Sequence, residues 1–180
     1  DRDNDLVRVE GQPDPARGEV TDLGGLDLDS SENAPAEVEI SGGSGQMVVV
    51  PLAEALSEHP DLVGDRLGSL VPAEDPFVAR NEAGWTDGVL IHVPRNVECE
   101  EPVKIQLKLD RPGTAVHWRT LIVLEEGARA EVWDHYGSAS DDTDALLNTV
   151  VELSVGQNAN RHYIATQELS EASWLFSSQR

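Results

Sequence analysis

Apolar residues alternate most regularly in the second half of the chain. Val103, Ile105, Leu107 and Leu109 take every other position, with Lys104, Gln106 and Lys108 between them. That is the period-two pattern of a strand with one buried face. From Gly88 onward such strands dominate, and they recur. The segments 90–97, 121–128 and 152–159 superpose at a constant offset of 31 residues. Leu90-Ile91-His92-Val93, Leu121-Ile122-Val123-Leu124 and Glu152-Leu153-Ser154-Val155 each run into a polar corner holding Asn or Gly, then into a further strand. Strands at a fixed period with polar corners predict a β-solenoid, in which each coil buries its face by stacking on the last. A meandering antiparallel sandwich fits the same periodicity, so the repeats alone leave both open.

The preceding stretch, 46–85, predicts a small helical lead-in. Met47 to Val50 is a β-branched run, and Pro51 opens a helix whose apolar face is Leu52, Ala55 and Leu56. Pro60 ends that helix. Leu62, Val63, Leu67 and Leu70 form a second apolar set, and Pro76 to Ala83 predicts a third short helix with Phe77 facing inward. Residues 1–45 hold 12 acids and 3 bases and are rich in Gly, Ser and Pro. They read as an acidic, flexible, linker-like segment with one short strand at Val38 to Ile40. Residues 86–180 read as the early coils of a domain that continues past Arg180, because no polar cap follows Trp174-Leu175-Phe176.

Composition removes several classes. With 34 Asp+Glu against 13 Lys+Arg in 180 residues, the formal net charge is −21, which repels nucleic-acid phosphates and anionic lipid surfaces. No apolar run approaches the roughly 18 residues of a spanning helix, and no basic-then-apolar leader opens the chain. Two lysines against eleven arginines suit solubility in high salt, and GC-rich coding produces the same balance. The single cysteine, Cys99, rules out an internal disulfide framework and fits a reducing, cytoplasmic setting.

Candidate chemistry is sparse. His59, His92, His117, His135 and His162 stand singly, without His-x-His or His-Glu-x-x-His spacing. His117 and His135 fall on successive strands and are expected to be able to approach. Asp141, Asp142 and Asp144 read as a solvated loop rather than a calcium loop. The pairs Glu100-Glu101 and Glu125-Glu126 sit at corners, where adjacent side chains diverge. Acids surround Cys99 and disfavour its thiolate, so it reads as structural. Ser44 lies in linker composition. No catalytic residue and no metal ligand is expected, and the chain reads as a non-enzyme. The competing reading is a β-helix or cupin-like enzyme acting on saccharides or small acids, and it lacks the clustered His or acid sets such sites need.

The stretches Asp75-Pro76-Phe77-Val78-Ala79-Arg80-Asn81-Glu82-Ala83, Asp87-Gly88-Val89-Leu90-Ile91-His92-Val93-Pro94-Arg95-Asn96-Val97 and Glu101-Pro102-Val103 resemble the SufB/SufD family. So do Arg119 to Ala128 and His162-Tyr163-Ile164-Ala165-Thr166-Gln167, with Leu52 to Leu56, His59 to Val63 and Leu67-Gly68 upstream. The resemblance implies a right-handed parallel β-helix (β-solenoid) preceded by a short helical lead-in. It implies a non-catalytic scaffold role in iron–sulfur cluster assembly, with a SufB-type paralogue and a SufC-type ATPase as partners. Open solenoid edges add scope for self-association. Asp87-Gly88 and Val132-Trp133-Asp134-His135-Tyr136 lean toward SufD, since SufB tends to carry a cysteine where Tyr136 stands. Asn96 replaces the commoner Gly at a corner, as Asn accepts left-handed backbone. The family's cluster-ligating groups lie beyond Arg180, so no cofactor is expected in this stretch and a nascent Fe–S cluster belongs to the full complex. Gln167, matching a polar position inside the family's helix, is the single candidate for cofactor binding.

Overall fold

The structure, a computed structural model, describes residues 32–43 and 45–180. In chain order the elements are β1 (Glu32–Asn33), β2 (Glu37–Ser41), β3 (Val48–Pro51), α1 (Leu52–Glu58), α2 (Pro60–Val63) and α3 (Pro76–Gly84). There follow β4 (Asp87–Val93), β5 (Val103–Leu109), β6 (Thr114–Leu124), β7 (Arg129–Ser138), β8 (Ala145–Val155), β9 (Asn160–Glu168) and β10 (Trp174–Gln179). One sheet runs β10-β8-β6-β4-β3, with β1 also on β6, and the other runs β2-β5-β7-β9. Pairings along β4-β6-β8-β10 and β5-β7-β9 are all parallel. This is a parallel β-solenoid of about three turns, and the sandwich is excluded.

The 31-residue repeat is the register itself: Leu90 pairs Leu121, and Leu121 pairs Glu152. Two local departures mark where corners change length. Glu98 bridges Arg129 at the same offset, but Val103 pairs Val132, so two extra residues bulge out between Cys99 and Pro102. Trp174 pairs Leu146, three residues short of the repeat, because the 139–144 corner has no equal in the next coil.

Asn96, Gly127 and Asn158 occupy one corner position in successive coils, with φ of 59°, 71° and 57°. The Asn96 N–H donates to the Glu126 carbonyl (3.0 Å) and the Gly127 N–H to the Gln157 carbonyl (2.9 Å), so the corners form their own ladder. Left-handed backbone costs a residue with a Cβ about 1–2 kcal/mol, and Asn less. Gly127→Ala is therefore expected to lower stability by about 1–2 kcal/mol in urea denaturation and Gly127→Asn by less, provided the Asn96 side chain turns away, since a Cβ in either would lie 2.5 Å from its Oδ1. Equal losses for both would show that the corner, and not the backbone angle, sets the cost.

The two sheets differ in what covers them. The β5 side chains alternate cleanly, Val103, Ile105, Leu107 and Leu109 facing the lumen and Lys104, Gln106 and Lys108 facing solvent. In β6 every residue from Ala115 to Leu124 is buried, because its sheet is covered on both sides. Ile122 and Leu124 line the lumen, whereas Leu90, Leu121 and Val123 point outward under Leu52, Ala55 and Val63 of α1 and α2. The lead-in is thus a lid on one sheet.

Some sequence expectations need correction here. Leu56 is exposed, so the buried face of α1 is Leu52 and Ala55 alone. Past Val63 the second apolar set lies in turns, and α2 is a single turn. In α3 Phe77 does turn toward the sheet, half-buried and stacked on Phe176 with centroids 3.6 Å apart, but Val78 is the fully buried anchor. Within the stretch read as linker-like, the strand expected at 38–40 forms as β2, antiparallel to β5, with Val38 and Ile40 packed on the lumen core. β1 also falls in that stretch, paired with β6, while 1–31 and Ser44 lie outside the described residues.

Candidate functional site

The most unusual chemistry lies inside the solenoid. In β7 the alternation places Val132, Asp134 and Tyr136 in the lumen and Trp133 and His135 outside. Asp134 is fully buried. Its Oδ2 accepts from the Tyr136 hydroxyl (2.8 Å) and from the Tyr163 hydroxyl of the next coil (2.9 Å), and its Oδ1 has no partner. Burial pushes its pKa up to about 6, against the smaller opposing pull of the two hydroxyls and His135. Burial and the neighbouring carboxylate raise both tyrosines well above the ordinary phenol value. The Val-Trp-Asp-His-Tyr pattern alone does not show which parity faces inward; the pairing of Ile105 with Asp134 and of Lys104 with Trp133 decides it.

Gln167 pairs Tyr136 in register and so has lumen-facing parity in β9. It is exposed and borders a cavity of about 190 Å³ shared with Tyr136, Ala165, Ser177 and Gln179.

A second polar set lies between the lead-in and its sheet. The Asn81 amide donates to the Trp118 and Asn148 carbonyls (3.0 and 2.9 Å), stitching α3 to two successive coils. Asn148 donates to the Phe77 carbonyl (2.8 Å) and to His117 Nδ1 (3.2 Å). His117 thus accepts at Nδ1, and burial, helped by the Arg80 charge, holds its pKa below the usual value. Glu152 takes the Gly68 N–H on both oxygens (2.8 and 3.1 Å) and lies 3.7 Å from the Arg119 guanidinium. These groups fasten the lid. The helix motif containing Asn81 and the Leu67-Gly68 pair acquire a physical reason from them.

The remaining candidates separate. His117 and His135 do not approach: they project from the outer faces of opposite sheets, with the lumen between them. His92 faces Glu125 at 3.4 Å, while Glu126 pairs Arg95 at 2.9 Å, so the adjacent acids do diverge. His135 lies 3.9 Å from Glu168 and His162 3.6 Å from Glu131, both outside the β7–β9 seam. His59 joins α1 to α2 through its N–H to the Ala55 carbonyl. Ser140 ties the acidic corner through Asp142 and Thr143, leaving Asp141 and Asp144 exposed. Cys99 donates its thiol to the Glu101 carbonyl inside the two-residue bulge. Among the described residues no three His, Cys, Asp or Glu side chains converge as metal ligands, and no helix is long and apolar enough to cross a membrane.

Two family profiles match the chain in series. Residues 33–105, the lead-in and first coil, match the SufBD protein N-terminal region. Residues 107–180 match the SufBD core domain of the SUF system for FeS cluster assembly. Among curated proteins, the chloroplastic iron–sulfur cluster assembly SufBD family protein ABCI8 of Arabidopsis thaliana is 34% identical over 122 residues, 67% of this chain and 22% of that protein. The family protein slr0074 of Synechocystis is 36% identical over 122 residues, 67% of this chain and 25% of its own length. ABCI9 of Arabidopsis thaliana is 31% identical over 134 residues, 71% and 28% respectively. The chain thus spans about a quarter of the length of the curated relatives it matches. A parallel solenoid under a helical lid, matched along 33–180 by these two profiles in order, places the chain in the SufBD family of iron–sulfur cluster assembly proteins.

Proposed function

We propose that this chain is the lid and early coils of a SufD-type subunit that catalyses no reaction and serves as a scaffold for cluster assembly. Its partners would be a SufB-type paralogue and a SufC-type ATPase, and the iron–sulfur cluster is cargo of that whole complex. The residue at position 136 carries the reading. Where SufB tends to present a thiol, this chain turns a phenol into the lumen and ties it to Asp134 at 2.8 Å. A hydrogen-bonded phenol neither binds iron readily nor accepts sulfur, so the position supports structure rather than transfer. The mechanism is architectural: parallel coils stack through their sheet edges, and the same kind of edge pairing suits a partner subunit's strand.

The test is co-expression of this chain, in its full reading frame, with SufB-type and SufC-type homologues. Recovery of one complex containing all three is expected. A SufB–SufC complex that forms fully while this protein elutes alone overturns the reading.

A further inference from the structure

Both lysines of the chain stand on one strand. In β5, Lys104 and Lys108 face solvent on either side of Gln106, in a molecule whose formal net charge is −21. The strand laid along that edge is acidic. β2 brings Glu37 opposite Lys108, Glu39 opposite Gln106 and Ser41 opposite Lys104. Glu37 reaches the Lys108 ammonium at 3.3 Å. Lys104 lies instead over Trp133, 5.3 Å from the ring centroid, and among the described residues no carboxylate is ion-paired with it. Opposite charges facing each other across a strand pair stabilise it, so β2 satisfies one lysine and leaves the other.

β2 is also lightly held. It is no coil of the solenoid: β5, β7 and β9 pair parallel, whereas β2 lies antiparallel on their edge, as an added strand does. Its residues alternate between exposed and half-buried, while Val103, Ile105, Leu107 and Leu109 of β5 are at most 1% exposed. Behind it the chain turns through Gly42, Gly43 and Gly45, with φ of 78°, 71° and 78°, left-handed backbone that glycine takes freely. A strand with so few buried contacts opens locally at low free energy.

We propose that the β5 edge is a docking site for an acidic, alternating strand of a partner protein, and that β2 is its built-in, displaceable occupant. The site fits an antiparallel strand whose aliphatic residues face the lumen and whose acids face Lys104 and Lys108. A strand with an acid where Ser41 stands meets both lysines and competes with β2 by one added ion pair. A second copy's β5, paired antiparallel about Gln106, would set Lys104 against Lys108 and is selected against.

A fluorescein-labelled peptide, Ala-Glu-Val-Glu-Ile-Glu-Gly, tests this by anisotropy, with Ala-Lys-Val-Lys-Ile-Lys-Gly as its control. The acidic peptide is expected to bind the unaltered chain and the control is not. Val38→Gly with Ile40→Gly loosens β2, leaves β5 intact and is expected to tighten binding about tenfold, because more of the edge is open. Ser41→Glu gives β2 the missing acid and is expected to weaken the peptide about two- to fivefold, the worth of an exposed ion pair. Equal binding of both peptides, or no binding even to the loosened variant, overturns the proposal. So does binding that Lys104→Gln with Lys108→Gln leaves unchanged. Should the glycine variant not fold, amide hydrogen exchange on the unaltered chain decides: β2 is expected to exchange at least about tenfold faster than β6, and equal protection overturns its displacement. The peptide assay needs neither a SufB-type nor a SufC-type protein, so it stands or falls apart from the scaffold reading.

Discussion

Glu152→Ala is expected to destabilise the folded chain by about 3–5 kcal/mol, the usual cost of removing one partner from a buried ion pair. Glu152 and Arg119 are both at most 1% exposed, and their closest approach is 3.7 Å. The Arg119 Nε and Nη2 have no hydrogen-bond partner of their own, so the Glu152 charge is what balances that cation. The substitution strands the guanidinium in a dry layer and orphans the Gly68 N–H, which now sits 2.8 Å from a carboxylate oxygen. Two further results distinguish a broken pair from a mere cavity. Arg119→Met combined with Glu152→Leu is expected to recover the part of the loss due to the stranded charge, because apolar replacement of both partners is often neutral or better, while the Gly68 N–H stays without its acceptor. Hydrogen exchange is expected to rise first in the lid, since Gly68 anchors the turns after α2 to β8. A loss below 1 kcal/mol in urea denaturation, or a double variant as weak as the single one, sinks this account.

The same residue shows how far the sequence reaches. Glu152 occupies the slot of Leu90 and Leu121 in the 31-residue repeat, and the register confirms the slot. Its charge among leucines was visible, but its partners were not. Arg119 lies diagonally across the sheet, and Gly68 is 84 residues away in a turn that no helical period describes. The lumen was legible only where chemistry and parity agree. In β5, lysines and aliphatics alternate, so the inward face is unambiguous. In β7 the large apolar Trp133 is 42% exposed while Asp134 is fully buried, the reverse of what side-chain polarity predicts. A one-residue shift in register exchanges the faces of a strand, and only the neighbouring strands fix it. The packing of Phe77 is hidden for a similar reason: its stacking partner Phe176 lies 99 residues on, in the last strand.

Gly88→Ala is expected to cost about 3 kcal/mol or more, at the upper end of what overpacking a core produces. Gly88 pairs Arg119 in register, on the outward parity of β4 beneath α1. A Cβ there would lie 2.0 Å from the Arg119 carbonyl oxygen, 3.0 Å from its carbon and 3.1 Å from a Leu52 methyl. The obstacle is backbone, so no change of rotamer relieves it; β4 must move away from β6. That movement is opposed by the whole pairing from Asp87–Trp118 to Val93–Leu124 and by Leu52 seated on Leu90 and Leu121. Trimming the side-chain contact alone is therefore not expected to help: Gly88→Ala with Leu52→Ala should be less stable than Gly88→Ala, because the added cavity brings its own cost of about 2–5 kcal/mol. Rescue by Leu52→Ala would place the clash in the lid instead of the sheet. The expected result gives the Asp87-Gly88 pair a physical meaning. Asp87 closes a hydrogen bond to the Gly88 N–H at 2.7 Å, and the missing Cβ lets the first coil seat on the second. The position that looks like a mark of one branch of the family is thus a requirement of how the lid-bearing sheet begins.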